Sequence, residues 1–188
     1  MKVNEAIVHH RNFHSANSKL STQRGYNHFY NTFAGDFADR ELSDIAPDEV
    51  LGYLTRLTEK CNRETKRLRH VQTKAFFNFA INCLELAIPN PCGNALLSKS
   101  FRNPKRSKRS VAGKEDVDSV IFRCENERDR VMIELMARSG MRIGEVLKMR
   151  PCDVEGRKIT LEAPKSGKDI EYAYMTESTA DRLDKYVK

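Results

Sequence analysis

A basic segment without acidic residues divides this chain of 188 residues into two parts. Residues 98–113 read SKSFRNPKRSKRSVAG and show no apolar periodicity, so we expect an extended connector here. Residues 99–114 contain seven Lys and Arg and no Asp or Glu, which equals the formal net charge of the whole chain, +7. The sequence therefore predicts two domains, residues 1–98 and 114–188, joined by a basic linker over residues 99–113. A linker of this charge indicates a polyanionic partner.

Composition excludes several classes of protein. No stretch approaches 18 consecutive apolar residues, and the N-terminal MKVNEAIVHHRNFH lacks the apolar core of a signal peptide, so we expect a cytoplasmic protein without membrane contact. The five cysteines are odd in number and include no CxxC pair. Neither a zinc site nor a disulfide framework is indicated, and we expect no metal and no cofactor.

The first domain is predicted to be all-helical. One helix is expected to begin at Ser18 or Ser21 and to end near Phe33, before Ala34-Gly35-Asp36. Pro47 favours the first turn of a second helix, and Asn62 is placed to cap a third. The third helix begins with a basic face that could contact phosphates or enter the major groove; the alternative is a solvated helix surface. Its cations are Arg63, Lys66, Arg67, Arg69, His70 and Lys74.

The second domain is predicted to mix helices with a β-hairpin. Gly140 is placed to end a helix, and a following helix is expected over residues 143–149, before Pro151. Two β-like runs flank Pro164-Lys165-Ser166-Gly167, which indicates a hairpin with a glycine-bearing turn. Thr176 is then placed at the start of a last helix.

Arg142 lies at a predicted helix N-terminus, where the helix dipole already disfavours a cation. Such a position is reasonable if an anion binds there. Glu145 follows one helical turn later, so its carboxylate could hold the guanidinium at a fixed angle while the guanidinium binds two phosphate oxygens. The alternative is an ordinary surface ion pair, worth about 0–1 kcal/mol. Lys165 at the hairpin tip could bind a phosphate or deliver a proton, with Lys168 as a neighbouring candidate; the alternative is a solvated turn lysine.

The stretch ELMARSGMRIGEVLKMRPCDV resembles the first arginine box of the tyrosine recombinase (phage integrase) family. In that family a T/S-G-x-R-x-x-E-[LV] run precedes an L-x-W/R-x-D-[IV] tail. The matching residues are Ser139, Gly140, Arg142, Glu145, Val146, Leu147, Arg150, Asp153 and Val154. The sequence PKSGK resembles the family's hairpin tip, and the order of helical domain, basic linker and hairpin-bearing domain is similar as well.

This resemblance implies a mainly α protein. Its parts would be an N-terminal SAM-like core-binding domain and the start of an α+β catalytic domain with a β-hairpin. The implied chemistry is a metal-free phosphoryl transfer on double-stranded DNA through a phosphotyrosyl link. Arg142 would be the first catalytic arginine, Glu145 its supporting acid, and Lys165 the general acid toward the departing oxygen. Self-association on DNA is also implied.

The chain departs from the family in its later boxes. The family needs a His-x-x-Arg pair and a tyrosine nucleophile, yet no histidine follows His70, and Tyr172, Tyr174 and Tyr186 do not match the nucleophile. We therefore expect a truncated recombinase that binds DNA and does not cleave it. The expected DNA-binding cations are Arg63, Lys66, Arg67, Lys74, Lys105, Arg106, Lys108 and Arg109.

Two other functions stay open at this point. SGMRIGEVLKM also suits the turn and recognition helix of a helix-turn-helix regulator that binds DNA without catalysis. A protein-interaction domain with an incidental basic linker is the third possibility. DNA affinity at low salt separates this last one from the other two.

Overall fold

A computed structural model of the chain describes residues 1–102, 110–162 and 169–187. The chain divides into two units, Met1–Ser107 and Lys108–Lys188. The first unit contains α1 (Val3–Asn17), α2 (Leu20–Phe37), α3 (Pro47–Leu57), α4 (Arg63–Asn82) and α5 (Ala95–Ser100). The second contains α6 (Lys114–Arg123), α7 (Glu127–Arg138), α8 (Ile143–Val146), β1 (Val154–Glu155), β2 (Lys158–Glu162), β3 (Ile170–Tyr174) and α9 (Glu177–Val187). The fold is therefore mainly helical with one small sheet, as the sequence predicts.

An aromatic core holds the first unit together. Phe29, Phe33, Phe76 and Phe77 are fully buried where α2 meets α4, and their rings pack edge to face or offset. Such rings bury large apolar areas and orient one another. The core also encloses His10 of α1, whose Nδ1 lies 2.9 Å from the Tyr30 hydroxyl. Burial lowers the pKa of His10 to about 3, so the ring is neutral at physiological pH.

Local signals for helix ends are confirmed in the first unit. Pro47 is the first residue of α3, and the Asn62 side chain accepts a hydrogen bond of 2.8 Å from the Thr65 backbone N–H at the start of α4. The predicted end of α2 is wrong, because the helix continues through Gly35 to Phe37. Phe37 is 5% exposed and packs on Phe33, so its burial outweighs the cost of a glycine within the helix.

The connector without secondary structure begins later than the sequence predicts. Residues 99 and 100 belong to α5, and Phe101 is buried and stacks on His70 with ring centroids 5.4 Å apart. Residues 103–109 of the predicted linker lie outside the described residues. The described part of the segment over residues 110–113 has no helix or strand before α6 begins.

An antiparallel sheet of order β1-β2-β3 packs against helices in the second unit. β2 and β3 form the predicted hairpin, with Glu162 opposite Ile170 and Thr160 opposite Tyr172. Ile159 and Ala173 are paired on the buried face and contribute to a core with Leu135 of α7. The predicted cap of the last helix is confirmed, since the Thr179 backbone N–H donates to Thr176 Oγ1 at 3.3 Å.

Candidate functional site

The turn between α7 and α8 sets the position of Arg142. Gly140 has a φ of +68°, a left-handed conformation that costs other residues strain, and it reverses the chain after α7. Met141 follows and is only 4% exposed, so its side chain anchors the turn in the core. Arg142 comes next, with extended backbone at the N-cap of α8. A buried anchor directly before an exposed cation fixes where that cation emerges from the surface.

Glu145 holds Arg142 by both its backbone and its side chain. The Arg142 backbone N–H donates to Oε2 of Glu145 at 2.8 Å, and Nη1 donates to Oε1 at 3.0 Å. The Glu145 side chain is 13% exposed, whereas the Arg142 side chain is 59% exposed. The carboxylate thus lies behind the guanidinium, and much of the guanidinium faces solvent. This arrangement suits a cation that binds an external anion.

The helix that follows Arg142 is shorter than predicted. α8 ends at Val146, and the predicted extent to residue 149 is wrong. The backbone N–H groups of Lys148 and Met149 donate to carbonyls three residues back, which is 3₁₀ geometry. Pro151 also forces Arg150 into an extended conformation, so a helix cannot continue through it. A helix of four residues supplies little dipole, so an anion at this position would be bound by the guanidinium itself.

Arg150 and Asp153, which match the tail of the arginine box, repeat this arrangement eight residues later, although we expected no role in the site for them from the sequence. The Arg150 backbone N–H donates to Asp153 Oδ2 at 2.8 Å, and Nη2 lies 3.2 Å from Oδ1. These hydrogen bonds hold the pKa of Asp153 below its ordinary value. Nη2 also lies 3.1 Å from Glu162 at the end of β2. Two carboxylates therefore engage Arg150, which ties the chain after α8 to the last residue of β2. The repeated R-x-x-[DE] spacing was a usable signal for it.

The predicted hairpin lysine cannot be compared with this geometry. Lys165 and the neighbouring Lys168 lie outside the described residues, which stop at 162 and resume at 169. The base of the hairpin is described, and there the Lys158 ammonium lies 4.1 Å from the centre of the Tyr172 ring. This cation–π contact joins β2 to β3.

The tyrosines of the second unit do not meet Arg142. Tyr172 and Tyr174 are exposed on the same face of β3. Tyr186 near the end of α9 lines a cleft of about 440 Å³ between α7, α8 and α9, whose walls are mainly apolar and do not include Arg142.

The four predicted DNA-binding cations of α4 share one side of that helix, between residues 63 and 74. Arg63 and Arg67 are exposed, and Lys66 and Lys74 are half-buried. The spacing of three, four and seven residues brings them to neighbouring positions on the helix surface. The other four predicted cations, Lys105, Arg106, Lys108 and Arg109, lie outside the described residues.

One residue that positions α4 was not foreseen. Gln72 is 6% exposed, and its Nε2 donates to the Gly25 carbonyl of α2 at 3.2 Å. Its Oε1 accepts a hydrogen bond of 2.9 Å from Arg69. The amide therefore fixes α4 against α2 and orients a cation at the surface, a role that depends on tertiary contact and leaves no signal in the sequence.

Clusters of potential metal ligands and long apolar helices are both absent from the described ranges. Within residues 1–102, 110–162 and 169–187, no group of three or more His, Cys, Asp or Glu side chains is arranged to hold a metal ion. Among those same residues, no helix is both long and apolar enough to cross a membrane.

Solved structures share the fold. A lambda integrase fragment (residues 75–356), crystallised as a dimer bound to a COC′ core site, superposes with a TM-score of 0.75 at 16% identity. The match covers 98% of this chain and 69% of that one. The Tn1549 transposon integrase, in complex with a circular intermediate DNA, superposes with a TM-score of 0.76 at 17% identity, over 100% of this chain and 65% of that one. No protein-family profile matches the chain.

Two curated relatives match in sequence. Both are tyrosine recombinase XerC, one from Vibrio campbellii and one from Vibrio parahaemolyticus, and each is 32% identical over 150 residues. The matches cover 73% of this chain but only 45% and 46% of the relatives, so the chain spans about half their length. This identity, the shared fold and the arginine held by Glu145 agree with one another, and the chain belongs to the tyrosine recombinase family.

Proposed function

We propose that this chain binds double-stranded DNA as part of a site-specific recombinase of the tyrosine type. The observation that carries the proposal is that the Arg142 side chain is 59% exposed while its guanidinium donates a hydrogen bond to the carboxylate of Glu145. A guanidinium stays charged at any working pH and can bind two phosphate oxygens at once.

In this proposal Arg142 contacts the scissile phosphate. A tyrosine oxygen attacks the phosphorus, the bond to the 5′ oxygen breaks, and a 3′-phosphotyrosyl link forms. Negative charge grows on the non-bridging oxygens, and Arg142 stabilises that charge because it is already oriented by Glu145. Lys165 serves as the general acid that protonates the departing 5′ oxygen.

We propose that the chain by itself binds DNA without cutting it. No histidine follows residue 70, so a His-x-x-Arg pair is absent from the second part of the sequence. The position of Tyr186 beside a cleft that Arg142 does not line also argues against its use as a nucleophile. Cleavage would then require residues that this sequence does not contain.

Binding is proposed to rest on the domain at residues 1–98, the linker at residues 99–113 and the domain at residues 114–188. The contacts to phosphates would come from two groups of cations, and the bound protein would self-associate on DNA. The lambda integrase neighbour, a dimer bound to a core site, supports this expectation. The proposed phosphate contacts are Arg63, Lys66, Arg67, Lys74, Lys105, Arg106, Lys108 and Arg109.

The alternative of a helix-turn-helix regulator has less support. Its recognition helix would be α8, which has four residues and is about 6 Å long. A recognition helix has to present several side chains along the major groove, and α8 is too short for that. A regulator that binds through α4 and the linker would remain compatible with the basic residues, so catalysis has to be tested separately.

The test of binding is a fluorescence anisotropy titration of a labelled duplex at several salt concentrations. We expect tight binding at low salt and a loss of about 10³–10⁵ in affinity between 50 and 200 mM salt if six to ten phosphates are contacted. A chain that does not bind duplex DNA at low salt would refute the proposal and favour a protein-interaction domain.

The test of the catalytic role uses a longer protein in which a His-x-x-Arg pair and a tyrosine nucleophile follow residue 188. There we expect Arg142→Ala to abolish the covalent protein–DNA product while DNA is still bound. Strand cleavage that survives Arg142→Ala with unchanged binding would show that Arg142 is not the catalytic arginine. The 188-residue chain, run in parallel, is expected to give no covalent product.

A further inference from the structure

The outward face of α4 exposes aliphatic side chains among cations. Leu68 is 50% exposed and Val71 is 45% exposed, although a solvent-facing helix surface normally carries polar residues. Glu64 and Arg67 are exposed on the same face, since these four residues follow the spacing of successive helical turns. The residues of α4 that pack into the core lie on its opposite side, among them Phe76.

Cations lie on both sides of these aliphatic residues. Arg63 and Lys74 are on one side along α4. On the other side lies Arg69, which is half-buried and donates a hydrogen bond of 2.9 Å to Gln72, one turn after Leu68. The major groove of duplex DNA has a matching layout, because phosphates form its two walls and base edges form its floor. A helix lying in that groove places flanking cations on phosphates and its outward face on bases.

We propose that Leu68 and Val71 contact the 5-methyl groups of thymines in the major groove, and so give α4 a preference for thymine at particular positions. This inference rests on the proposed DNA-binding function. The thymine methyl is the apolar group that the groove floor presents, and aliphatic side chains recognise it by contact. Glu64 fits the same surface, because a carboxylate facing the bases accepts a hydrogen bond from the cytosine amino group.

A protein partner fits this face less well. A stable protein–protein interface buries roughly 800 Å² on each partner, and two half-exposed aliphatic side chains supply only a small part of that area. The face is also narrow and bordered by like charges, whereas interface cores are depleted in charged residues. Duplex DNA offers phosphates to the cations and apolar methyl groups to the aliphatic side chains.

α4 is held firmly enough for such contacts to discriminate. Its N-terminus is capped by Asn62, and Gln72 ties its middle to α2. Near its second half, Asn90 Nδ2 donates to the Lys74 carbonyl at 3.1 Å and to Asn78 Oδ1 at 2.7 Å. The Leu68 and Val71 side chains therefore emerge from a fixed backbone, so the loss of one methyl group from DNA leaves a gap that the helix cannot easily fill.

The experiment replaces thymine by deoxyuridine, which removes only the methyl group. Duplexes that the wild-type chain binds best are first selected from a random pool, and each thymine is then changed to deoxyuridine in turn. We expect an affinity loss of about fourfold at one or more positions, from about 0.8 kcal/mol for each buried carbon. Leu68→Ala or Val71→Ala should bind the thymine and deoxyuridine duplexes equally at such a position. Alanine favours helix, so the fold should be kept.

Val8→Ala serves as the matched control, because Val8 is 53% exposed on α1 and should leave the thymine-to-deoxyuridine ratio unchanged. Equal wild-type affinity for both duplexes at every position would overturn the inference while the proposed DNA binding stands. A ratio that persists in both Leu68→Ala and Val71→Ala would also overturn it. If these variants instead weaken self-association and leave the ratio unchanged, the face is a protein contact. A wild-type chain that binds no duplex refutes the proposed function itself.

Discussion

The ion pair between α7 and α9 tests whether burial or the distance between the charges decides how much an ion pair stabilises the fold. Glu134 is 4% exposed, and its Oε1 lies 3.3 Å from Nη1 of Arg182, whose side chain is 25% exposed. Oε2 of Glu134 has no hydrogen-bond partner among the described residues. Removing one member of a buried pair costs about 3–5 kcal/mol, because it leaves a buried charge without compensation.

We expect Arg182→Ala to lower the free energy of unfolding by about 2–3 kcal/mol. This value lies below the fully buried range because a quarter of the Arg182 side chain is solvated. In a unit of this size, each kcal/mol lost lowers the melting temperature by roughly 4–8 °C. Glu134→Ala should cost less, since the arginine left behind can extend its head group toward water. The double variant should cost at least about 1 kcal/mol less than the sum of the two single variants.

Urea unfolding followed by circular dichroism at 222 nm measures these differences. The matched control is Arg138→Ala, which breaks a pair with Asp118 at 2.9 Å, between side chains that are 36% and 44% exposed. That pair is shorter than the one in question, yet we expect its loss to cost at most about 1 kcal/mol because water screens it. If Arg182→Ala costs no more than Arg138→Ala, or if the double variant equals the sum, the reasoning from burial is refuted.

Three further predictions concern pH, the glycine turn and the carboxylate. Burial lowers the pKa of His10 to about 3, so the neutral ring stabilises the fold above its unfolded pKa of about 6.5. This stabilisation is lost as the pH falls from 6.5 toward 3. His10→Gln should therefore flatten a plot of the urea unfolding midpoint against pH over this range. Gly140→Ala should lower the stability of the fold by about 1–2 kcal/mol, measured by thermal melting, because φ is +68° at this position. Gly144→Ala is the control and should be close to neutral, since no atom lies within 4 Å of an added Cβ. Equal effects of the two variants would contradict the strain argument. Glu145→Ala should lower stability by about 1 kcal/mol, because the hydrogen bond at the start of α8 is removed. It should also weaken DNA binding, as Arg142→Ala does. Unchanged binding would show that the carboxylate does not position the guanidinium.

Local rules predicted those features whose cause is local. The starts of α3 and α4 follow from Pro47 and Asn62, and the turn before Arg142 follows from a glycine that alone adopts its conformation cheaply. The hairpin followed from alternation on both sides of a turn. The R-x-x-E spacing likewise predicted that Glu145 would reach Arg142, because residues three apart share a helix face.

Features that depend on tertiary packing were missed. α2 passes Gly35 because Phe37 has a buried place beyond it, which no local signal reveals. α1 was not delimited, because its buried face includes His10, a residue that no hydropathy pattern counts as apolar. The roles of Gln72 and of Glu162 toward Arg150 depend on partners 47 and 12 residues away in the chain.

The central claim is that the Arg142 guanidinium binds a DNA phosphate, and the salt dependence of binding measures this directly. For the 188-residue chain, a plot of log affinity against log salt concentration has a slope whose magnitude falls by about 0.9 for each phosphate that the protein no longer neutralises. Arg150→Ala is the control, since Arg150 has the same exposure of 59% but is engaged by two carboxylates. We predict that Arg142→Ala reduces the slope by about one unit and weakens binding, while Arg150→Ala leaves the slope unchanged. An Arg142→Ala chain with the wild-type slope and affinity would contradict the account.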